Sequence, residues 1–138
     1  MLSASRERPH DQAFMKSILI VDDDEPTRRL LDALMRRNGH ATIIAENGRA
    51  ALDILRQRTV DVVILDLMMP EVSGTEVVTQ LEATDDPPSV VVCTAAGRRG
   101  TPVFSSKVVK AIVQKPFDIA QLIRVVDELA PPLSLIHI

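Results

Sequence analysis

The chain has a single cysteine, Cys93, so no intramolecular disulfide can close within it, which points to a reducing compartment. Cys93 sits in an apolar run and reads as inert core. No stretch approaches the roughly 20 consecutive apolar residues of a membrane helix, and the longest apolar run, 62–69, is interrupted by Asp66. A charged start leading into an apolar signal segment is also missing, and the cytoplasm is the expected location. Positive charge is not in excess. Lys and Arg number 16 against 19 Asp and Glu, and the formal net charge of −3 has the wrong sign for a protein that binds nucleic acid through its phosphates. An acidic balance of this kind favours a bound cation. Repeats and low-complexity tracts are absent too, and what remains, 46% apolar and 25% charged over 138 residues, is the composition of one folded domain.

Residues 1–15 mix Arg, Glu, Pro, His and Ser without period and read as a flexible extension, with Met15 a candidate true start. From residue 16 to 130, short apolar runs alternate with segments of helical period. That pattern builds a parallel sheet covered by helices on both faces, a doubly wound α/β domain. Strands are expected at 17–21, 41–45, 61–65, 89–93 and 111–114, and helices at 25–38, 49–57, 74–83 and 118–130. A fourth connecting helix belongs between 97 and 110, where Gly100, Pro102, two serines and three valines disfavour it. A short or irregular helix from about Thr101 is expected there. Pro131 and Pro132 end the last helix or open a linker. The apolar string at 133–138 has neither turn residue nor helix face and is expected to be a non-native tail, a translated library-tagging sequence on a chain cut short.

In an open parallel sheet ligands bind beyond the carboxyl ends of the strands. Those positions carry Asp22, Asp23 and Asp24 after strand one, Asp66 after strand three, Thr94 after strand four and Lys115-Pro116 after strand five. Taken singly each has an ordinary explanation: a helix cap, a solvated carboxylate, a core hydroxyl, a surface lysine. Asp24 fits capping well. Taken together they do not, because carboxylates about 4 Å apart repel by roughly 4 kcal/mol per pair at an effective dielectric of 20. A hard divalent ion such as Mg²⁺ relieves that repulsion and suits carboxylate, carbonyl, water and phosphate ligands. The thioethers of Met68 and Met69 are soft and read as packing.

Five motifs stand in order: Ile-Leu-Ile-Val-Asp-Asp-Asp-Glu-Pro at 18–26, Val-Val-Ile-Leu-Asp-Leu-Met-Met-Pro at 62–70, Gly74, Val-Cys-Thr-Ala at 92–95 and Gln-Lys-Pro-Phe at 114–117. With these the chain resembles the receiver domain of bacterial two-component response regulators, from residue 16 to about 130. The resemblance implies a flavodoxin-like sheet of five parallel strands. It makes Asp66 the phosphoacceptor, Asp22 and Asp23 the acidic pair, Thr94 the switch hydroxyl and Lys115 the phosphate-facing lysine. It also implies Mg²⁺ held by Asp23, Asp66 and the carbonyl of Met68, with Asp22 reaching it through water. The implied partners are a histidine kinase or histidine phosphotransfer protein and an output domain or protein. The implied chemistry is limited to the domain's own phosphorylation and dephosphorylation.

The chain departs from the family at Ile112, three residues before Lys115, where receivers commonly carry an aromatic ring. The positions two beyond Asp66 and two beyond Thr94 are the apolar Met68 and Ala96, which cannot orient an attacking water, so slow loss of phosphate is expected. A receiver-like module that binds partners without phosphorylation is the competing reading, and the five intact site residues argue against it. A small-molecule aspartyl-phosphate hydrolase lacks its Asp-x-Asp after strand one and any lid. Arg28, Arg29, Arg36 and Arg37 make the first helix basic, either a solvated face or a partner surface. His40 falls in a loop, with no partner evident from sequence.

Overall fold

In the computed structural model, residues 15–95 and 102–131 are described. The elements run β1 (Ser17–Val21), α1 (Glu25–Arg37), β2 (Ala41–Ala45), α2 (Gly48–Gln57), β3 (Val62–Asp66), α3 (Gly74–Glu82), β4 (Ser89–Thr94), β5 (Val109–Gln114) and α4 (Ile119–Leu129). All strand pairs are parallel, in the order β2-β1-β3-β4-β5. The chain winds outward one way from β1 to β2, then crosses back past β1 to lay down β3, β4 and β5. The point of reversal lies between β1 and β3, and their carboxyl ends open a crevice there.

Side-chain alternation along the strands divides the core in two. Ile18, Ile20, Val62, Ile64, Val91 and Cys93 pack against Leu31 and Met35 of α1 and Leu122 and Val126 of α4. Leu19, Val21, Val63, Leu65, Val90 and Val92 pack against α2 and α3 on the opposite face. β1, β3 and nearly all of β4 are therefore buried on both sides, which their unbroken aliphatic runs require. Each helix starts on a side chain that accepts a hydrogen bond from a first-turn N–H: Asp24, Asn47, Ser73 and Asp118. Gly39, at φ 90°, takes the left-handed conformation just past α1 and turns the chain into β2.

Two expectations are corrected. Among the described residues 102–108 there is a turn and no helix, so a short helix running from Thr101 is not formed over that stretch; Thr101 itself lies outside the described residues. Pro102 and the Ser105-Ser106 pair explain why, since the hydroxyl of Ser105 accepts the Lys107 N–H and favours a local turn. β5 is longer than expected because it contains a bulge: Val90 pairs with Val109, but Val91 pairs with Ala111, leaving Lys110 extra. The extra residue turns Val109 toward the α2/α3 side and Ala111 and Val113 toward the α1/α4 side. His40 lies in the α1–β2 loop as expected, but it is buried and has a partner, its Nε2 standing 3.1 Å from Asp127 Oδ1 of α4, and Asn38 donates to the same carboxylate oxygen. The suggested extension, apart from Met15, and the suggested tail, apart from Pro131, lie outside the described residues.

Candidate functional site

The crevice between β1 and β3 gathers the acidic residues. The Asp22 N–H still donates to the Ala45 carbonyl (3.2 Å), continuing the β1–β2 ladder, so Asp22 is fixed like a strand residue and buried. Its two carboxylate oxygens are both used: Oδ1 accepts the Asp24 N–H at 2.9 Å and Oδ2 accepts from Lys115 Nζ at 2.9 Å. Asp23 stays exposed. Asp24 caps α1, and the hydroxyl and N–H of Thr27 hold its carboxyl below the ordinary value, which bears out the capping reading.

Asp66 is the last residue of β3, paired with Cys93, and only 4% exposed. Its Oδ1 accepts the Met68 N–H at 3.0 Å, and its Oδ2 stands 3.6 Å from Lys115 Nζ. The next turn is clamped from beneath. A Cβ on Gly74 would lie 2.4 Å from the Asp66 carbonyl oxygen and 2.8 Å from Leu67 Cα, so only glycine lets α3 start this close to the site. Met68 itself is 67% exposed, while Met69 is buried.

Thr94 ends β4 with its side chain buried, and its carbonyl accepts the Lys115 N–H at 2.9 Å. The ends of β4 and β5 are thereby joined, and Lys115 reaches across the crevice to both carboxylates. The ammonium also lies 5.9 Å from the centre of the Phe117 ring, a cation–π distance.

Asp22, Asp23 and Asp66 bring carboxylate oxygens within 4.8 Å of one another. At that separation each pair repels by about 3 kcal/mol at an effective dielectric of 20, and Lys115 is the cation seen to touch Asp22 and Asp66. Burial pushes the Asp66 carboxyl above its ordinary value, and the charges of Asp22 and Asp23 add to the rise. The Met68 N–H and Lys115 oppose it without cancelling it. Burial works to lower Lys115, but its hydrogen bond to Asp22 and the charges of Asp22 and Asp66 outweigh that and raise it, so the ammonium is charged at neutral pH. A cluster of hard oxygen donors with excess negative charge fits a hard divalent cation and no soft one. Cys93, beneath the site, has its thiol pushed up to about 12 by burial and remains protonated core, as expected.

Every site residue expected from sequence among Asp22, Asp23, Asp66, Met68, Thr94 and Lys115 lies at this end of the sheet, while Ala96 is outside the described residues. Two features were missed. Arg28 turns inward and donates from Nη1 to the Asp22 carbonyl at 2.7 Å, bracing the loop that carries the acidic pair. Nothing in a run of arginines marks which one does this. Arg29 and Arg36 pair within α1 with Glu25 and Asp32, which accounts for them as helix-surface pairs of small energetic weight. The second is a cavity of about 330 Å³ beside Lys115, lined by Thr27, Leu30, Pro116, Phe117 and Ile119. The pairing of Leu30 with Ile119 across it depends on α1 and α4 lying side by side, which no local period reveals.

A crevice at the β1/β3 reversal, holding buried aspartates on two strands and a lysine from the edge strand, defines a class of phosphate-handling α/β switch. Residues 18–127 match the response regulator receiver domain, and the chain belongs to that family. It is 34% identical over 118 residues to sporulation initiation phosphotransferase F of Bacillus subtilis, covering 84% of this chain and 94% of that protein. It is 42% identical over 78 residues to response regulator MprA of Mycolicibacterium vanbaalenii, 56% of this chain but only 34% of that longer protein. Its fold is also similar to response regulator TrrA of Thermotoga maritima, solved in complex with Mg²⁺-BeF, with a TM-score of 0.75 and 33% identity over 83% of this chain and 99% of that one. TrrA has been solved with the histidine kinase ThkA as well, and that TrrA-containing structure matches with a TM-score of 0.74. Among the described residues no helix is long and apolar enough to cross a membrane.

Proposed function

We propose that Asp66 accepts a phosphoryl group from the phosphohistidine of a histidine kinase or histidine phosphotransfer protein, and from small acyl phosphates in vitro. The observation that carries this reading is the buried Asp66 carboxylate, flanked by Lys115 Nζ at 3.6 Å and by the acidic pair Asp22 and Asp23. A carboxylate oxygen of Asp66 forms the new P–O bond as the P–N bond of the donor breaks, and the departing imidazole keeps the electron pair and takes up a proton. Lys115, charged for the reasons given, neutralises one phosphoryl oxygen. Asp22, Asp23, Asp66 and the Met68 carbonyl would hold Mg²⁺, with Asp22 acting through water. Bound there, the ion supplies charge against the remaining phosphoryl oxygens and relieves the carboxylate repulsion. The Mg²⁺-BeF complex of TrrA supports this assignment.

Thr94 then donates its hydroxyl to the attached phosphoryl group. Because its carbonyl is bonded to the Lys115 N–H, the movement reaches β5 and the exposed Ile112. The chain works on no second substrate; it catalyses only its own phosphorylation and dephosphorylation, and the apolar Met68 makes the second slow. The apolar cavity between α1 and the turn after β5 opens beside Lys115 and suits the donor protein, and the existence of a ThkA–TrrA complex supports a histidine kinase as that donor. We place the reaction in the cytoplasm, with no direct contact between this domain and nucleic acid, and with an output domain or protein reading the β5 face.

Incubation with acetyl phosphate and Mg²⁺, followed by peptide mapping, tests the proposal. The adduct is expected on Asp66, dependent on the metal and absent from Asp66→Asn. An adduct that survives that substitution, or forms equally well with the metal chelated, sinks it.

A further inference from the structure

Met68 combines three properties. Its N–H is bonded to the Asp66 carboxylate at 3.0 Å, its side chain is 67% exposed, and it is apolar where a polar group could orient water. The other oxidisable side chains of the core are sheltered: Met35 is 0%, Met69 8% and Cys93 1% exposed. Peroxides attack accessible sulfur, and the product is a strong hydrogen-bond acceptor in place of a greasy thioether.

We propose that Met68 is a peroxide-modified site whose oxidation shortens the life of the aspartyl phosphate on Asp66. In the modification one oxygen of hydrogen peroxide passes to the Met68 sulfur. The O–O bond breaks, an S–O bond forms, the sulfur is oxidised by two electrons and the peroxide leaves as water. The sulfoxide oxygen then accepts a hydrogen bond from the water that attacks phosphorus. A new P–O bond forms, the bond to the Asp66 carboxylate breaks, and the proton of the water passes to the released phosphate. The thioether offers only a weak acceptor for that task. Peroxide thus becomes a second input, one that erases the signal without contacting the kinase. Methionine sulfoxide reductase, drawing two electrons and two protons from a dithiol that becomes a disulfide, removes the oxygen as water and restores the slow state.

This inference rests on Asp66 being the phosphoacceptor, and the test separates the two. The protein is treated with dilute hydrogen peroxide, and sulfoxide is mapped by peptide mass at Met15, Met35, Met68 and Met69. Treated and untreated samples are then phosphorylated with acetyl phosphate and Mg²⁺, and the decay of each is followed after the donor is removed. Sulfoxide is expected first at Met68, with the half-life falling roughly fivefold, the effect of one net hydrogen bond. Methionine sulfoxide reductase is expected to restore the original half-life. In Met68→Leu, whatever its starting half-life, peroxide is expected to leave the decay unchanged. Preferential oxidation of Met35 or Met69, an unaltered or longer half-life in the oxidised protein, or a peroxide response retained in Met68→Leu each overturns the inference and leaves the phosphoacceptor reading intact. No adduct in the untreated protein overturns both.

Discussion

β3 and β5 each deliver one residue to the site, Asp66 and Lys115, yet the two strands are held in opposite ways. β3 is central, pairs with β1 and β4, and is buried along its whole length. β5 is an edge strand with a bulge, and its Lys110, Ile112 and Gln114 are exposed. The proposed nucleophile, Asp66, is thus set in the part of the molecule least able to move, and the proposed phosphate-facing lysine just beyond the part most able to. The dense packing around β3 resists displacement, whereas the exposed residues of β5 lose little when they shift. A switch needs both: a fixed place for the chemistry and a loosely held strand to report it.

The contrast breaks most sharply at Gly74. Gly74→Ala drives a methyl group into the backbone of Asp66 and Leu67, and a loss of about 2–4 kcal/mol in chemical denaturation is expected. A loss under about 0.5 kcal/mol would mean that the turn below Asp66 is as yielding as the edge. Lys115→Met removes the cation shared by Asp22 and Asp66, and phosphorylation by acetyl phosphate is expected to slow roughly hundredfold, the size of one lost charge-stabilising donor. A rate within threefold of the original would show that the edge strand contributes little to the chemistry.

A third expectation follows from the sign of the Asp66 shift. Its carboxyl in the folded chain lies above the ordinary value of 3.8, so ionised Asp66 costs stability at neutral pH. Without divalent cations, Asp66→Asn is therefore expected to be more stable than the parent at pH 7, by about 1 kcal/mol after screening of the pair repulsion. The advantage shrinks as pH falls through the raised value and is gone below 3.8, where the carboxyl is protonated in both folded and unfolded chains. Asp24 and Asp32, whose values are lowered, contribute the opposite slope in both proteins and cancel in the difference. Urea titrations of the two proteins across that range measure it, and a difference independent of pH would refute the burial account. The smallest effect belongs to Ile112→Ala on the edge, expected to cost less than about 1 kcal/mol because the side chain is already 47% exposed. A larger loss by the same titration would show that β5 is packed as firmly as β3.

The sequence was legible wherever the signal was local. Aliphatic runs marked all five strands, with β1 and β2 found to the residue, and the cap Asp24 marked its helix. Asp66 and Thr94 were read as following their strands, but the ladders carry one residue further, through the pairs Asp66–Cys93 and Thr94–Gln114. What stayed hidden depends on two distant segments meeting. The bulge at Lys110 exists only in register with β4, and no property of β5 alone requires it. Asp127 approaches His40 across 87 positions of chain, and an aspartate in an exposed helical period gives no hint of that partner. The acid cluster was legible despite its long-range assembly because parallel topology sends every strand end to one side of the sheet, so the order of motifs sufficed.

The bulge also bears on how the protein behaves in a crowded cell. β5, Val109–Gln114, has no strand neighbour on its outer side among the described residues and is apolar enough to template another strand, and open edges of this kind are how folded domains begin to stack into fibres. Lys110 interrupts that template twice. As the extra residue it bends and twists the strand, so a straight intruder cannot stay aligned with it. Its ammonium folds back to donate to the Ser106 carbonyl at 2.7 Å, setting a charge at the rim where an approaching chain would have to strip its water. The looseness that suits this edge to reporting a signal would otherwise be an invitation to aggregate, and a single lysine keeps the two apart.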